Sequence, residues 1–269
     1  MSEEEKEILK QRAQNIIEKV KKQEGENYSS NVDNLNKDKY KCNKCKDMLF
    51  IELEDGSFGP CECRQIRIAE NKLKASGVSE EFRNMRFENF HYESSLETME
   101  AYATARRYSK NFQEIKKSRR NSIMLMGQVG SGKTHLAMAI ANMLLDNSIG
   151  VIYMPYRSSI TNLKQSITDE ENYQREINMY KNAEVLLIDD LFKGRITESD
   201  INIIYEIIDY RYFKNLPIVV TTEKDIDELI NIDEAIGSRL YEMSKSYMVT
   251  MKGQKLNYRI YGDVGVKKI

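Results

Sequence analysis

The 269-residue sequence predicts an α/β fold: a five-stranded parallel sheet covered by helices, preceded by a small cysteine module and an N-terminal helix. Three observations carry that expectation. Five short apolar runs alternate with helical segments through the second half of the chain, as strands of a parallel sheet buried on both faces do. The glycine-rich stretch "GQVGSGKT" joins the first of these runs to a helix, and all four cysteines fall in two close pairs ahead of it.

Residues 3–22 place Leu9, Ala13, Ile16, Ile17 and Val20 at helical spacing among charges, a single apolar stripe that needs a partner surface. Residues 24–39 are polar and aperiodic and read as a linker, so 1–39 forms an N-terminal helix with its tether. Cys42, Cys45, Cys61 and Cys63 follow within 40–66. Between the pairs, "MLFIELEDGSFGP" has a β-rich run and an Asp55-Gly56 turn signal, which predicts a hairpin bringing both pairs together. Four thiolates suit a tetrahedral structural Zn²⁺, with an iron–sulfur cluster or unligated thiols as the alternatives. Such a closed site folds a module too small for its own core and is not catalytic.

Residues 67–120 read as a helical connector in which Phe82, Phe87 and Phe90 pack. Its last twenty residues hold seven basic side chains against one glutamate, either a solvated helix face or an anion-binding one. The core then spans 121–269. Ile123–Met126 form its first strand, and Leu136, Ala137, Ile140, Ala141 and Leu144 share one face of the following helix. The loop between them fits G-x-x-x-x-G-K-[ST], whose backbone N–H groups cradle phosphates at a helix N-terminus. Gly127, Gly130, Ser131, Gly132, Lys133, Thr134 and His135 are the binding set, with Lys133 reaching the β- and γ-phosphates and Thr134 holding Mg²⁺.

Later runs "VIYMP", "VLLID", "IVVTT" and "YMVTM" supply the remaining strands. Two aspartates end the third strand, where ligands gather in an open α/β sheet. Asp189 there complements Thr134 on Mg²⁺, and Asp190, on the other side of the strand end, polarises an attacking water. The site is of ATPase type, with ATP and Mg²⁺ as its ligands. A guanine-reading N-K-x-D segment is not present, since "TEKDID" does not fit. The only histidines are His91 and His135, there is no G-x-S-x-G elbow, and no cysteine is left for catalysis.

With 41% hydrophobic and 31% charged residues and a net charge of −1, the composition suits a cytosolic protein whose nucleic-acid contacts, if any, are local. No apolar run approaches a membrane span, and "MSEEEKEILK" lacks a signal-peptide apolar region.

Taken together, "GQVGSGKTHLAMAIAN", "VLLIDDLF", "DYRYFKNLPIVVTTEKDIDEL" and "IGSRL" resemble the DnaC/DnaI-type helicase-loader ATPases of the AAA+ class, over about residues 77–262. "SGVSEEFRNMRFENF" resembles the segment those proteins carry before the core, and the cysteine module is similar to that of the Gram-positive and phage branch. The resemblance implies an AAA+ core, a homo-oligomer joined through ATP sites, and Arg239, at a helix end, as an arginine finger donated to the neighbouring subunit. It further implies loading of a hexameric replicative helicase, with single-stranded DNA contacted near Tyr156 and Arg157, although Tyr156 equally reads as packing. One departure stands out: Glu223 falls where the family carries a phosphate-sensing Asn. Thr221 or Thr222, the latter at the strand end, then takes the hydrogen-bonding role, and hydrolysis is expected to be slow. Arg259 resembles a family position of undefined role. The alternatives are an IstB-type transposition helper and a weakly hydrolysing ATP-switch adaptor.

Overall fold

A computed structural model of the protein describes residues 40, 42–53, 56–64, 67 and 79–261. The expected helix at 3–22, the linker at 24–39 and most of the helical stretch at 65–77 lie outside the described residues. The chain divides into two compact units, residues 1–61 and 62–269.

In the first unit, β1 (Phe50–Glu52) and β2 (Phe58–Pro60) pair antiparallel, with Phe50 opposite Pro60 and Glu52 opposite Phe58. Leu53 N–H donates to Ser57 O at 2.8 Å to close the turn. The expected hairpin is present.

The second unit opens with α1 (Glu80–Arg83) and α2 (Leu96–Ile115). Ser95 and Thr98 form a reciprocal cap at the start of α2, satisfying N–H groups that the helix itself cannot. The sheet contains β3 (Ile123–Gly127), β4 (Val151–Pro155), β5 (Val185–Leu191), β6 (Ile218–Thr222) and β7 (Met248–Met251). All neighbours are parallel, in the order β4-β5-β6-β3-β7. Between the strands run α3 (Lys133–Asp146), α4 (Tyr156–Gln165), α5 (Glu170–Asn182), α6 (Glu198–Phe213), α7 (Ile226–Ile232) and α8 (Glu234–Ser244), and α9 (Tyr258–Tyr261) follows β7.

Strand alternation divides the interior in two. Ile123, Leu125, Leu187, Val219 and Val249 join a core with α2 and α3, while Met124, Met126, Leu186, Ile188 and Val220 join one with α4 to α8. The stretch expected as a connector contributes Phe87, Phe90, Ala101, Ala105, Tyr108 and Phe112 directly to the first of these. Because the strands are parallel, the loops after β3, β5 and β6 open on one edge of the sheet. The pairing of Thr222 with both Met126 and Leu191 brings those three loops side by side.

Candidate phosphate site and four-cysteine cluster

The loop from Gly127 to Gly132 needs its glycines for two separate reasons. Gly127 has φ of 145°, and a Cβ there would stand 2.2 Å from the carbonyl oxygen of Met251 on the neighbouring strand. Gly132 has φ of 93°, and its Cβ would meet the Phe90 ring at 2.7 Å. A side chain at either position would be both strained and blocked. Tyr258 N–H donates to Gly130 O at 2.9 Å, so the segment after β7 closes over the loop.

Lys133 is buried at the start of α3, and its ammonium donates to Gly127 O at 2.9 Å and Gln128 O at 2.8 Å. Burial lowers its pKa, with Asp190 and Glu223 pulling the other way. Thr134 Oγ1 donates to Asp189 at 3.0 Å across 55 positions of sequence. Asp189 also accepts from Thr221 Oγ1 at 2.6 Å and from Tyr153 OH at 3.4 Å. Burial raises the Asp189 pKa, and the Thr221 hydroxyl acts against that. Ser131 is buried with a hydroxyl that has no hydrogen-bond partner among the described residues. A buried carboxylate on β5, a half-buried hydroxyl on α3, an orphaned hydroxyl at Ser131 and a cradle that a Cβ would fill together fit a triphosphate with its magnesium.

The end of β5 is bulged: its register with β6 shifts between Ile188 and Leu191. Asp190 and Phe192 take left-handed φ values of 58° and 57°, uncommon for residues with a side chain. Asp190 N–H donates to Thr221 Oγ1 at 2.8 Å, while Phe192 is fully buried. Bulges of this kind re-aim side chains beside functional sites. Here the bulge turns Asp190 away from Asp189 and toward Lys193, whose ammonium is 2.8 Å from Asp190 Oδ2 and 3.1 Å from Glu223 Oε1.

This architecture agrees with sequence kinship. Residues 82–244 match the family described as the bacterial DnaA ATPase domain. The chain belongs to that family. YqaM of Bacillus subtilis is 38% identical over 221 residues, covering 79% of this chain and 69% of YqaM. The phage-like element PBSX protein XkdC of the same organism is 36% identical over 236 residues, covering 83% of this chain and 88% of XkdC. Among solved structures, the DnaC helicase loader aligns with a TM-score of 0.52 at 24% identity, over 65% of this chain and all of that one. The replication initiator DnaA bound to AMPPCP and single-stranded DNA aligns with a TM-score of 0.55 at 20% identity, over 70% of this chain and 55% of that one. At those identities the structural likeness speaks for the fold, which is the AAA+ ATPase core.

Within this DnaA-type ATPase domain the structure places several residues whose roles the sequence left open. Alternation along β6 puts Thr221 and Thr222 on opposite faces. It is therefore Thr221 that reaches Asp189, while Thr222 donates to Leu191 O at 2.9 Å, away from the phosphate loop. His135 places Nε2 2.9 Å from Arg86 O and tilts its ring against Phe90, so the side chain is committed to packing. Arg239 lies in mid-helix on α8, pairs with Asp209 at 2.8 Å, and sits over the rings of Tyr205 and Tyr212 at 5.4 Å. Tyr156 is 1% exposed and packs edge-on against Phe192, which leaves Arg157 as the exposed member of that pair. Arg106 and Arg107 lie over aromatic rings, while Lys110, Lys117 and Arg120 of the same basic stretch are exposed. Sequence reasoning missed Lys193 and Tyr153. The lysine three positions past Asp190 was its only available signal.

The cysteines lie ahead of the segment matched to the DnaA-type domain. Their four Sγ atoms are all within 4.8 Å of one another, and none is in a disulfide. Cys42 and Cys61 have sulfurs 3.8 Å apart. A tetrahedron with metal–sulfur bonds of about 2.3 Å has edges of about 3.8 Å, so the donor set fits a closed four-thiolate metal centre. No helix among the described residues is long and apolar enough to cross a membrane.

Proposed function

We propose that this protein is a cytoplasmic, ATP-dependent loader of the replicative helicase, binding ATP with Mg²⁺ and single-stranded DNA during initiation of replication. The observation that carries the reading is the Thr134–Asp189 contact beside Lys133, in a chain of the DnaA ATPase family. In this reading the backbone of Gly127 to Thr134, with the Ser131 hydroxyl, holds the phosphates, and Lys133 exchanges its two carbonyl partners for the β- and γ-oxygens. The His135 contribution is its backbone N–H alone. Thr134 and Asp189 hold Mg²⁺, which when bound neutralises charge developing on the phosphate oxygens. Asp190 orients and polarises the attacking water. Of the two threonines expected for the strand-end role, Thr221 takes it through Asp189, and Thr222 does not.

Arg239 acts in trans in a homo-oligomer, leaving Asp209 for the phosphate of the adjoining copy. The partner reading rests on the resemblance to loaders and on likeness to the solved DnaC helicase loader. Single-stranded DNA is drawn from the DnaA chain solved with it, with exposed Arg157 as a phosphate contact. Zinc occupies Cys42, Cys45, Cys61 and Cys63 and folds the segment around them, which with the N-terminal residues docks the helicase.

The full-length protein, Lys133→Ala and Asp190→Asn test the division of roles. Lys133→Ala should lose nucleotide binding. Asp190→Asn should bind normally with turnover down by about 10²–10⁴-fold. Equal loss of binding in both would sink the assignment. In a transfer assay, the wild type with ATP should place the hexameric helicase on circular single-stranded DNA, and Lys133→Ala should not.

A further inference from the structure

Glu223 poses a problem of charge. It directly follows β6, at the edge of the sheet where the phosphates are to lie, and it acts electrostatically on Lys133 together with Asp189 and Asp190. With Asp189 committed to magnesium in the proposed reading, Glu223 beside Asp190 adds a carboxylate that, left uncompensated, would repel a triphosphate. We propose that Lys193 is a positioning residue of this site, whose ammonium neutralises Glu223 and holds Asp190 in its working orientation.

The geometry behind this is specific. Lys193 closes the bulged turn after β5, its N–H donating to Asp190 O at 3.1 Å. That turn is fixed from both sides, by the Thr221 hydroxyl under Asp190 N–H and by Phe192 packed on Tyr156. Left-handed backbone at two non-glycine residues persists where its surroundings over-determine it, and such strain gathers at functional sites. Its effect here is to deliver Lys193 back over Asp190 and across to Glu223, linking the ends of β5 and β6 through one ammonium. Exposed ion pairs of this length contribute little to stability. The value of this one lies in the potential it sets at the phosphate loop, because Lys193 also opposes the two carboxylates in their action on Lys133. The Lys193 pKa is raised, chiefly by its bond to Asp190, so it is charged throughout the physiological range.

This inference rests on the reading of the site as one for ATP, and the experiment separates the two. Equilibrium binding of a fluorescent ATP analogue with Mg²⁺, and steady-state hydrolysis, would be measured on full-length wild type, Lys193→Ala, Glu223→Gln and the double variant. Lys193→Ala should weaken nucleotide binding about tenfold or more, because Glu223 is left uncompensated. Glu223→Gln should bind as tightly as wild type or more tightly. The double variant should return to within about threefold of wild-type affinity. Its kcat should nevertheless stay as low as that of Lys193→Ala, because Asp190 remains untethered. A merely structural lysine would not produce restored affinity with unrestored turnover. Additive losses in the double variant, unchanged binding in Lys193→Ala, or weaker binding in Glu223→Gln would each overturn the proposal. The last of these stands even if Lys193→Ala fails to fold. A wild type that binds no nucleotide would overturn the ATP reading itself, and this inference with it.

Discussion

The hairpin unit and the ATPase core are held together by different means. In the hairpin unit, Met48, Phe50, Leu53 and Phe58 are all largely exposed, and the buried apolar side chains among its described residues are Cys45 and Cys61. In the core, two continuous apolar clusters fill both faces of a five-stranded sheet. A short chain buries too little surface to offset its lost conformational entropy, whereas about 180 residues of layered structure do so amply. In the small unit Cys45 and Cys61 stand where leucines stand in the core, so a metal held by the thiols is the expected source of its stability.

Metal removal is the strongest way to break that contrast. Structural zinc contributes about 10–16 kcal/mol in comparable small sites, so a strong chelator should unfold the segment around the cysteines outright. Limited proteolysis would then cut between residues 42 and 63 while 79–261 stays protected. Equal protection of both regions under chelator would contradict the contrast.

Next in size is a cavity in the core. Ile204 on α6 is fully buried, and Ile204→Ala should cost about 2–5 kcal/mol in denaturant unfolding. Phe58→Ala in the hairpin unit, at 58% exposed, should stay within about 0.5 kcal/mol and forms the small end of the series.

Between these lies a test of the functional edge of the core. Burial raises the Asp189 pKa, so the folded state holds that proton more tightly than the unfolded chain does. The resulting destabilisation is absent below the ordinary carboxylate range, grows as pH rises through it, and is complete above the folded pKa. Asp189→Asn should therefore raise Tm at pH 7 by about 2–4 °C, a shift that corresponds to about 1 kcal/mol in a domain of this size. The gain should shrink toward pH 4. A gain that is constant with pH would show that the carboxylate's ionisation is not its source.

The sequence by itself determined the five strands, because each is a buried run between helical segments, and burial on both faces of a parallel sheet leaves a mark in composition. It determined the phosphate loop as well, since its spacing is local, and positive φ with the Met251 backbone against Gly127 and the Phe90 ring against Gly132 blocks a side chain at either position. The cysteine grouping was equally local, with a hairpin short enough to be written in one turn signal. What the tertiary structure alone decided were relations between strand ends. Which threonine faces Asp189 depends on the register of β6 against β5, and a one-residue difference reverses the face. Tyr156 was ambiguous because an aromatic ring after a strand serves packing or stacking alike, and only the neighbouring Phe192 settles it. Glu223 read as a defect because its partner lies thirty positions earlier in a bulged turn, and sequence has no term for a lysine carried back across two strands by left-handed backbone.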